Sequence, residues 1–409
     1  MENARHISDP PADLRDDPLL SYRAQFPILG HTNYLISNSL GAVPGAAHGA
    51  AEAYVTKWAQ RGVRAWEETW WPMVATTGDL VAPLIGAGPG EVVFQPCVTL
   101  AHAVLFSCFD FRAGRPKVVT DAMHFPSILY LLAQLEAEGA EVVVVPSDDG
   151  VSVSTERIVE AIDERTAFVN ISHVLFKSAY IHDVAPIAQR AREVGALSIV
   201  DGYQAVGTIP VDVHSLGIDA YIGGCLKWLC GGPGAAFMWV HPDHYAHLSP
   251  RLTGWMSHAH PFDFAPALER RTDAWRFLSG TPNISAFYIV RPGLEIVNEV
   301  GPEAIRAKSM RQTARLIDLA AERGWRCTTP VARERRGGTV AVDVPNGYEV
   351  ALELKAREVI CDFRPGAGVR LSPHFYTADW ELDAAVGEIA DILASRAWQR
   401  HSDTRVTVT

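Results

Sequence analysis

Ala220-Tyr-Ile-Gly-Gly-Cys-Leu-Lys-Trp-Leu-Cys-Gly-Gly-Pro-Gly234 carries one lysine, Lys227, where an apolar strand runs into a glycine-rich turn. An ammonium in apolar surroundings costs several kcal/mol unless it is paired or neutralised. A lysine so placed is either snorkelling toward water or chemically used, for instance as an imine to an aldehyde. The lysine alone fits both. Upstream, Leu197-Ser-Ile-Val-Asp-Gly-Tyr-Gln-Ala-Val-Gly207 closes a short β-branched strand on a carboxylate, Asp201. Two strands that each end on a chemistry-bearing residue fit an open α/β sheet, in which ligands sit beyond the carboxyl ends of the strands.

The surrounding sequence supports that reading. From Gly90 onward, short β-branched runs (Glu91–Phe94, Lys117–Thr120, Glu141–Val145, Ala167–Ile171, Leu197–Val200, Ala235–Val240) alternate with helix-length segments. That order implies βαβ units and a mostly parallel sheet with helices on both faces. Ile128–Glu138 and Val184–Val194 have apolar residues at helical spacing and stop before Gly139 and Gly195, placed as C-caps. An Ala-rich helix, Ala46–Gln60, leads from an amino-terminal arm into this region. After a break read at Pro292-Gly293, a smaller α+β unit follows: helix Glu303–Glu322, strands Gly338–Asp343 and Gly368–Ser372, and a closing helix Asp379–Ser395. The expected division is an arm (1–40) packing with the small domain, a large domain (41–291) and the small carboxyl-terminal domain (292–409). The tail from His401 reads as mobile.

An acid and a lysine at strand ends are what pyridoxal phosphate requires. The carboxylate keeps the pyridine nitrogen protonated, so that the ring accepts electrons, and the lysine carries the aldehyde carbon. The remaining composition is that of a soluble enzyme. The 409 residues exceed one ordinary core, and hydrophobic (48%) and charged (20%) fractions lie far from the disordered regime. A formal charge of −11 without a basic stripe argues against a nucleic-acid partner. Six cysteines, none in CxxC pairs, suggest neither zinc nor a disulfide framework, and no metal site is expected. No signal-peptide core or membrane-length apolar run is present, so a cytoplasmic placement is expected.

Lys227 and Asp201, with Gly280-Thr-Pro282 and Arg370 followed by His374-Phe-Tyr376, resemble the class V aminotransferase superfamily of fold type I pyridoxal-phosphate enzymes. Within it the chain is similar to kynureninase through Asn38-Ser-Leu-Gly41, Lys57-Trp-Ala59, His124-Phe-Pro-Ser127 with Tyr130, and Pro250-Arg-Leu-Thr-Gly-Trp255. The resemblance runs from Phe26 to Ile392. It implies that Lys227 forms the internal aldimine and moves the α-proton, that Asp201 binds the pyridinium nitrogen, and that Val98 and Thr99, at a helix start, hold the phosphate. Thr99 as an ordinary N-cap would give the same local geometry. Kynureninase places Phe125 on the ring face, whereas the desulfurase branch places His124 there, and only one can hold that position. Arg370 would hold the substrate α-carboxylate, guanidinium being suited to two parallel bonds, and Asn38 would be a further substrate-binding residue. The other reading of Arg370 is a surface ion pair, worth about 1 kcal/mol or less. Trp255 and Thr281 would reach a neighbouring subunit's phosphate, making a homodimer with shared sites.

The departures bear on the reaction. Kynureninases have a tyrosine before the lysine and a histidine three residues after the aspartate; here Leu226 and Gln204 stand there. The Gly-His that meets the aryl group is missing from Arg61-Gly-Val-Arg-Ala-Trp66, Thr281 replaces an asparagine, and Ser178-Ala179 replaces Thr-Gly. Gln204 is closer to the cysteine desulfurase, C–S lyase and isopenicillin N epimerase branch, where a glutamine sits near the cofactor's phenolic oxygen. Cys327 and Cys361 lack the flexible loop a persulfide-forming thiol uses. The expected chemistry is an external aldimine of an α-amino acid, a Cα quinonoid, and cleavage at Cβ: thiol loss from an S-substituted cysteine or a kynureninase-like C–C cleavage. Decarboxylation, deamination, amine transfer or epimerisation on the same adduct is the alternative, and a non-catalytic scaffold that kept the fold is the reading from another class.

Overall fold

The computed structural model describes residues 17–402. Residues 1–16 and most of the carboxyl-terminal tail lie outside these residues. His401 itself closes a short 3-10 helix and bonds Glu353 Oε2 at 2.9 Å.

In chain order the elements are β1 (Asn33–Tyr34), α1 (Ala46–Arg61), α2 (Trp71–Ile85), β2 (Val92–Gln95), α3 (Val98–Phe106), β3 (Lys117–Asp121), α4 (Pro126–Leu135), β4 (Glu141–Val145), α5 (Thr155–Ala161), β5 (Thr166–Ser172), α6 (Val184–Val194) and β6 (Leu197–Asp201). Then come α7 (Val213–Leu216), β7 (Ala220–Gly224), β8 (Ala236–Val240), α8 (Ile284–Val300), α9 (Pro302–Ala321), β9 (Arg326–Cys327), β10 (Val340–Asp343), α10 (Gly347–Ala356), β11 (Val359–Ile360), β12 (Asp362–Arg364), β13 (Gly368–Leu371) and α11 (Asp379–Ser395).

A seven-stranded sheet runs in the order β2-β8-β7-β6-β5-β3-β4. Its members pair in parallel except β8, which is antiparallel to both neighbours. The central strands β3, β5 and β7 are buried along their whole length, as strands covered by helices on both faces must be. This is the mixed α/β architecture expected from the alternating pattern. A second sheet, β12-β13-β10-β9, is antiparallel, and β1 pairs in parallel with β11. Two hydrophobic cores follow the two larger sheets.

No break falls at Pro292-Gly293, because α8 runs straight through both residues. An interior proline costs a helix about 3 kcal/mol. Phe287, Val290, Leu294 and Val297 are all buried on the same helix, and each contributes roughly 1.5–3 kcal/mol, so packing outweighs the lost bond. Gly293 is there for close approach: a Cβ would stand 2.5 Å from the Leu229 carbonyl oxygen and 2.6 Å from that of Cys230. The change of core falls later, within α9, where Ile305 belongs to the first core and Leu316 to the second. Among the described residues no helix is long and apolar enough to cross a membrane.

Candidate active site

β7 delivers Lys227. The strand ends at Gly224, and a tight turn over the next residues is held by Cys225 N to the Ala235 carbonyl (3.0 Å) and Gly231 N to the Cys225 carbonyl (2.8 Å). The amine has no hydrogen bond or ion pair among the described residues. Its Nζ lies 4.2 Å from the Tyr203 ring centroid and 5.6 Å from that of Phe125. Burial brings its pKa down to about 8, Asp201 acting against that shift and Arg370 and Arg364 adding to it.

Asp201 closes β6, between β5 and β7, and is buried. Its Oδ1 accepts the Tyr203 backbone N–H at 2.8 Å. Burial raises its pKa, opposed by His102, the Tyr203 amide and Lys227. Gln204 is fastened at both ends: Nε2 donates to the Asn38 carbonyl at 2.9 Å, and Oε1 accepts from Trp228 Nε1 at 2.8 Å. The glutamine therefore ties the amino-terminal arm to the lysine turn.

These residues converge on a cavity of about 170 Å³ with Cys97, Val98, Thr99, Phe125 and Tyr203 on its wall. The start of α3 faces it. Cys97, the N-cap residue, makes no side-chain cap bond, so the first-turn amides stay available.

The predicted residues are not all brought together. Phe125 lines the cavity, whereas His124 does not. The histidine is buried behind the wall, its Nδ1 accepting the Phe125 N–H at 2.8 Å and its ring 6.4 Å from that of His102. Of the two, it is Phe125 that faces the cavity, because the chain turns His124 inward as it enters α4. Asn38 is buried with neither side-chain amide atom bonded, and it stands beside Gln204 rather than on the cavity wall. Trp255 packs among Trp71, Phe262 and Phe264, and Thr281 is exposed; neither lines the cavity of its own chain.

Arg370 is not a surface ion pair: it is the buried partner of Asp362, its cross-strand neighbour. Nε meets Asp362 Oδ1 at 2.8 Å, Nη2 meets Oδ2, and Nη1 donates to the Phe176 carbonyl at 2.5 Å. Through Phe176, a lining residue, it sits just behind the cavity.

Sequence reasoning missed Tyr203, Ser127, Ser172 and Phe176 on the wall. For Ser172 a signal existed: it ends β5 and is the register partner of Asp201, so it shares the carboxyl edge where ligands sit. It also missed Asp121, which ends β3, is pushed up to about 7 by burial, and keeps a buried Oδ2 without a partner.

Residues 34–362 match the family model for aminotransferase class-V. The chain is 34% identical over 414 residues to a kynureninase of Burkholderia pseudomallei (strain 1106a), covering 97% of each. It is 33% identical over 410 residues to the kynureninase of Pseudomonas fluorescens, covering 96% of this chain and 97% of that one. Among solved structures it is similar in fold to the apo cysteine desulfurase of Thermococcus onnurineus NA1, with TM-score 0.80 at 20% identity over 95% of this chain and 99% of the other. The cystine C-S lyase C-DES, in complex with its product cysteine persulfide, gives TM-score 0.81 at 19% identity over 90% and 99%. With its lysine and acid at adjacent strand ends and its match across most of its length, the chain belongs to the aminotransferase class-V family.

Proposed function

We propose that this chain is a pyridoxal-phosphate enzyme that acts on an α-amino acid and breaks a bond at Cβ. The observation that carries this reading is Lys227, an unpaired amine brought down to about 8 in a cavity that also holds a buried acid and an uncapped helix start. The residues fit the cofactor. Asp201 uses only Oδ1 within the protein, leaving Oδ2 for a pyridinium N–H. The α3 amides and the Thr99 hydroxyl suit a phosphate dianion, and Phe125 offers a flat apolar face.

Bound there, pyridoxal phosphate supplies an electron sink for the pair left at Cα when a bond to that carbon breaks. Lys227 would hold the aldehyde carbon and, as a free amine whose pKa burial lowers, would move the proton at Cα. Asp201 would keep the ring nitrogen protonated. The N–H groups of Arg370 not bonded within the protein would serve the substrate carboxylate, while Asn38, off the cavity wall, holds Gln204 through its carbonyl. Trp255 and Thr281 act on a second copy of the chain in a homodimer, and the protein works in the cytoplasm.

The leaving group we favour is a thiol from an S-substituted cysteine. Leu226 puts an apolar side chain beside the lysine, and a thiol, with a pKa of about 8.5, departs as thiolate without a neighbouring proton donor. Full-length similarity to kynureninases favours the second reading, hydrolysis of a kynurenine-like ketone. Purified protein incubated with several S-substituted cysteines should release pyruvate and ammonia; none from any conjugate sinks the elimination reading, and anthranilate from kynurenine would support the second. Wild type should absorb at the violet edge of the visible range, and Lys227→Ala should lose the borohydride-reducible adduct. A colourless wild type after exposure to the cofactor overturns the cofactor reading.

A further inference from the structure

We infer that the hydroxyl of Tyr203 is a further cofactor-binding group, donating a hydrogen bond to the phosphate end of the site; the inference rests on the pyridoxal-phosphate reading above. Tyr203 lies two residues beyond Asp201, and its backbone N–H is held by Asp201 Oδ1 at 2.8 Å. Its ring shares the cavity wall with Cys97, Val98 and Thr99 and passes Lys227 with the centroid 4.2 Å from Nζ.

The ring rests on Gly224, the last residue of β7. A Cβ added there would stand 2.5 Å from ring atoms Cε2 and Cζ and 2.7 Å from the hydroxyl oxygen. The phenol therefore fills the space that a side chain at position 224 would occupy. That place adjoins α3, which packs on β7 and begins at the cavity. From the lysine side no polar hydroxyl comes to this end, since Gly223, Gly224, Cys225 and Leu226 precede Lys227. Tyr203 brings one in from the neighbouring strand.

The hydroxyl makes no hydrogen bond among the described residues. Burial raises its pKa, and Cys225, Asp201 and Cys97 raise it further, so it keeps its proton at neutral pH and acts as a donor. A donor to a phosphate oxygen forms a charge-assisted bond, stronger than a neutral one. The α3 amides alone leave some of the phosphate oxygens' lone pairs unanswered, and the phenol approaches from the β7 side.

Tyr203→Phe keeps the ring and removes the hydroxyl. The protein, freed of cofactor, is titrated with pyridoxal phosphate and, separately, with pyridoxal, which has the same ring and aldehyde but no phosphate. Binding is followed by the imine absorption, so activity plays no part. The variant should bind pyridoxal phosphate about tenfold or more weakly, with pyridoxal affinity unchanged. Unchanged affinity for pyridoxal phosphate overturns the inference, as does equal weakening of both ligands, which would put the hydroxyl elsewhere on the ring. If wild type takes up neither ligand, the cofactor reading fails first and this inference with it. Tyr203→Leu, which removes the ring as well, should weaken both ligands; if it leaves pyridoxal phosphate affinity intact, the side chain does not touch the cofactor.

Discussion

Arg370 and Asp362 face each other across β13 and β12 as a buried, two-bonded ion pair. Asp362 also pairs with Arg364 at 3.3 Å, so it is removal of Asp362 that leaves the Arg370 charge buried without an ion-pair partner among the described residues. Asp362→Ala should therefore cost about 3–5 kcal/mol, read from urea unfolding. Replacing both, Asp362→Leu with Arg370→Met, should recover most of that loss, because an apolar pair of similar size packs without a desolvation cost. The double variant should nonetheless show a raised KM for any substrate carrying an α-carboxylate. Normal KM in the double variant would remove Arg370 from substrate binding and leave it a structural role.

Lys227 makes stability depend on pH in a defined direction. Its amine is lowered to about 8 in the folded chain and titrates near 10.4 when unfolded. Between those values the unfolded state binds more protons, so stability rises with pH. Below the lower value both states are protonated and the cost of burying the ammonium is present in full. Cofactor-free wild type should gain on Lys227→Met as pH rises from about 8 to 10.4. A flat difference across that window in urea titrations would mean that the amine is not desolvated.

Asp201→Asn keeps the shape and the Tyr203 contact but no longer holds a ring proton. Turnover should fall on the order of 10²–10³-fold, the scale for removing one preorganised electrostatic contact, while the borohydride-reducible adduct at Lys227 persists. Loss of the adduct together with turnover would show that Asp201 acts on binding instead.

Gly41 sits against the lysine turn, its N–H bonded to the Leu226 carbonyl at 2.8 Å. A Cβ at Gly41 would overlap the Lys227 carbonyl oxygen and lie 3.1 Å from the Cys230 Cα. Both are backbone atoms and cannot swing aside. Gly41→Ala should destabilise by about 1–3 kcal/mol and impair adduct formation, a combination visible in one thermal and one spectroscopic titration.

Ala179 adopts φ +60°, the left-handed region. It stands at the position where the resemblance led us to expect glycine, and the backbone has kept the turn. Ala179→Gly should stabilise the protein by about 0.5–1 kcal/mol, strain relief of about 1–2 kcal/mol being partly offset by a freer unfolded chain. A lower urea midpoint for the variant would contradict this.

The large sheet was legible because β-branched runs and C-capping glycines are local signals, and the lysine and its acid were legible because each ends such a run. What local signals do not carry is register. That Asp362 faces Arg370 follows from antiparallel pairing eight residues apart, invisible until both strands are placed. Direction of entry is equally non-local, which is why His124 and Phe125, adjacent and both aromatic, could not be told apart until α4 was seen to turn one inward. Pro292-Gly293 misled because chain-breaking residues are read against propensity, while Val290 and Leu294 on the same helix are held by packing. Tyr203 was overlooked because nothing in Asp-Gly-Tyr-Gln says which way the phenol points.

The amino-terminal arm around β1 works as a stitch with two threads. Leu35 enters the core of the small sheet, while Tyr34 and Ile36, on the opposite side of the extended chain, enter that of the large one. Its backbone bonds Glu358, Ile360 and Ser372 on one side, and six residues later Gly41 bonds Leu226, next to the lysine. The two cores are therefore sewn together by one short piece of chain whose far end holds the reactive turn. Any shift of the small sheet against the large one pulls on that piece, and Lys227 is the residue immediately after the one where the pull arrives.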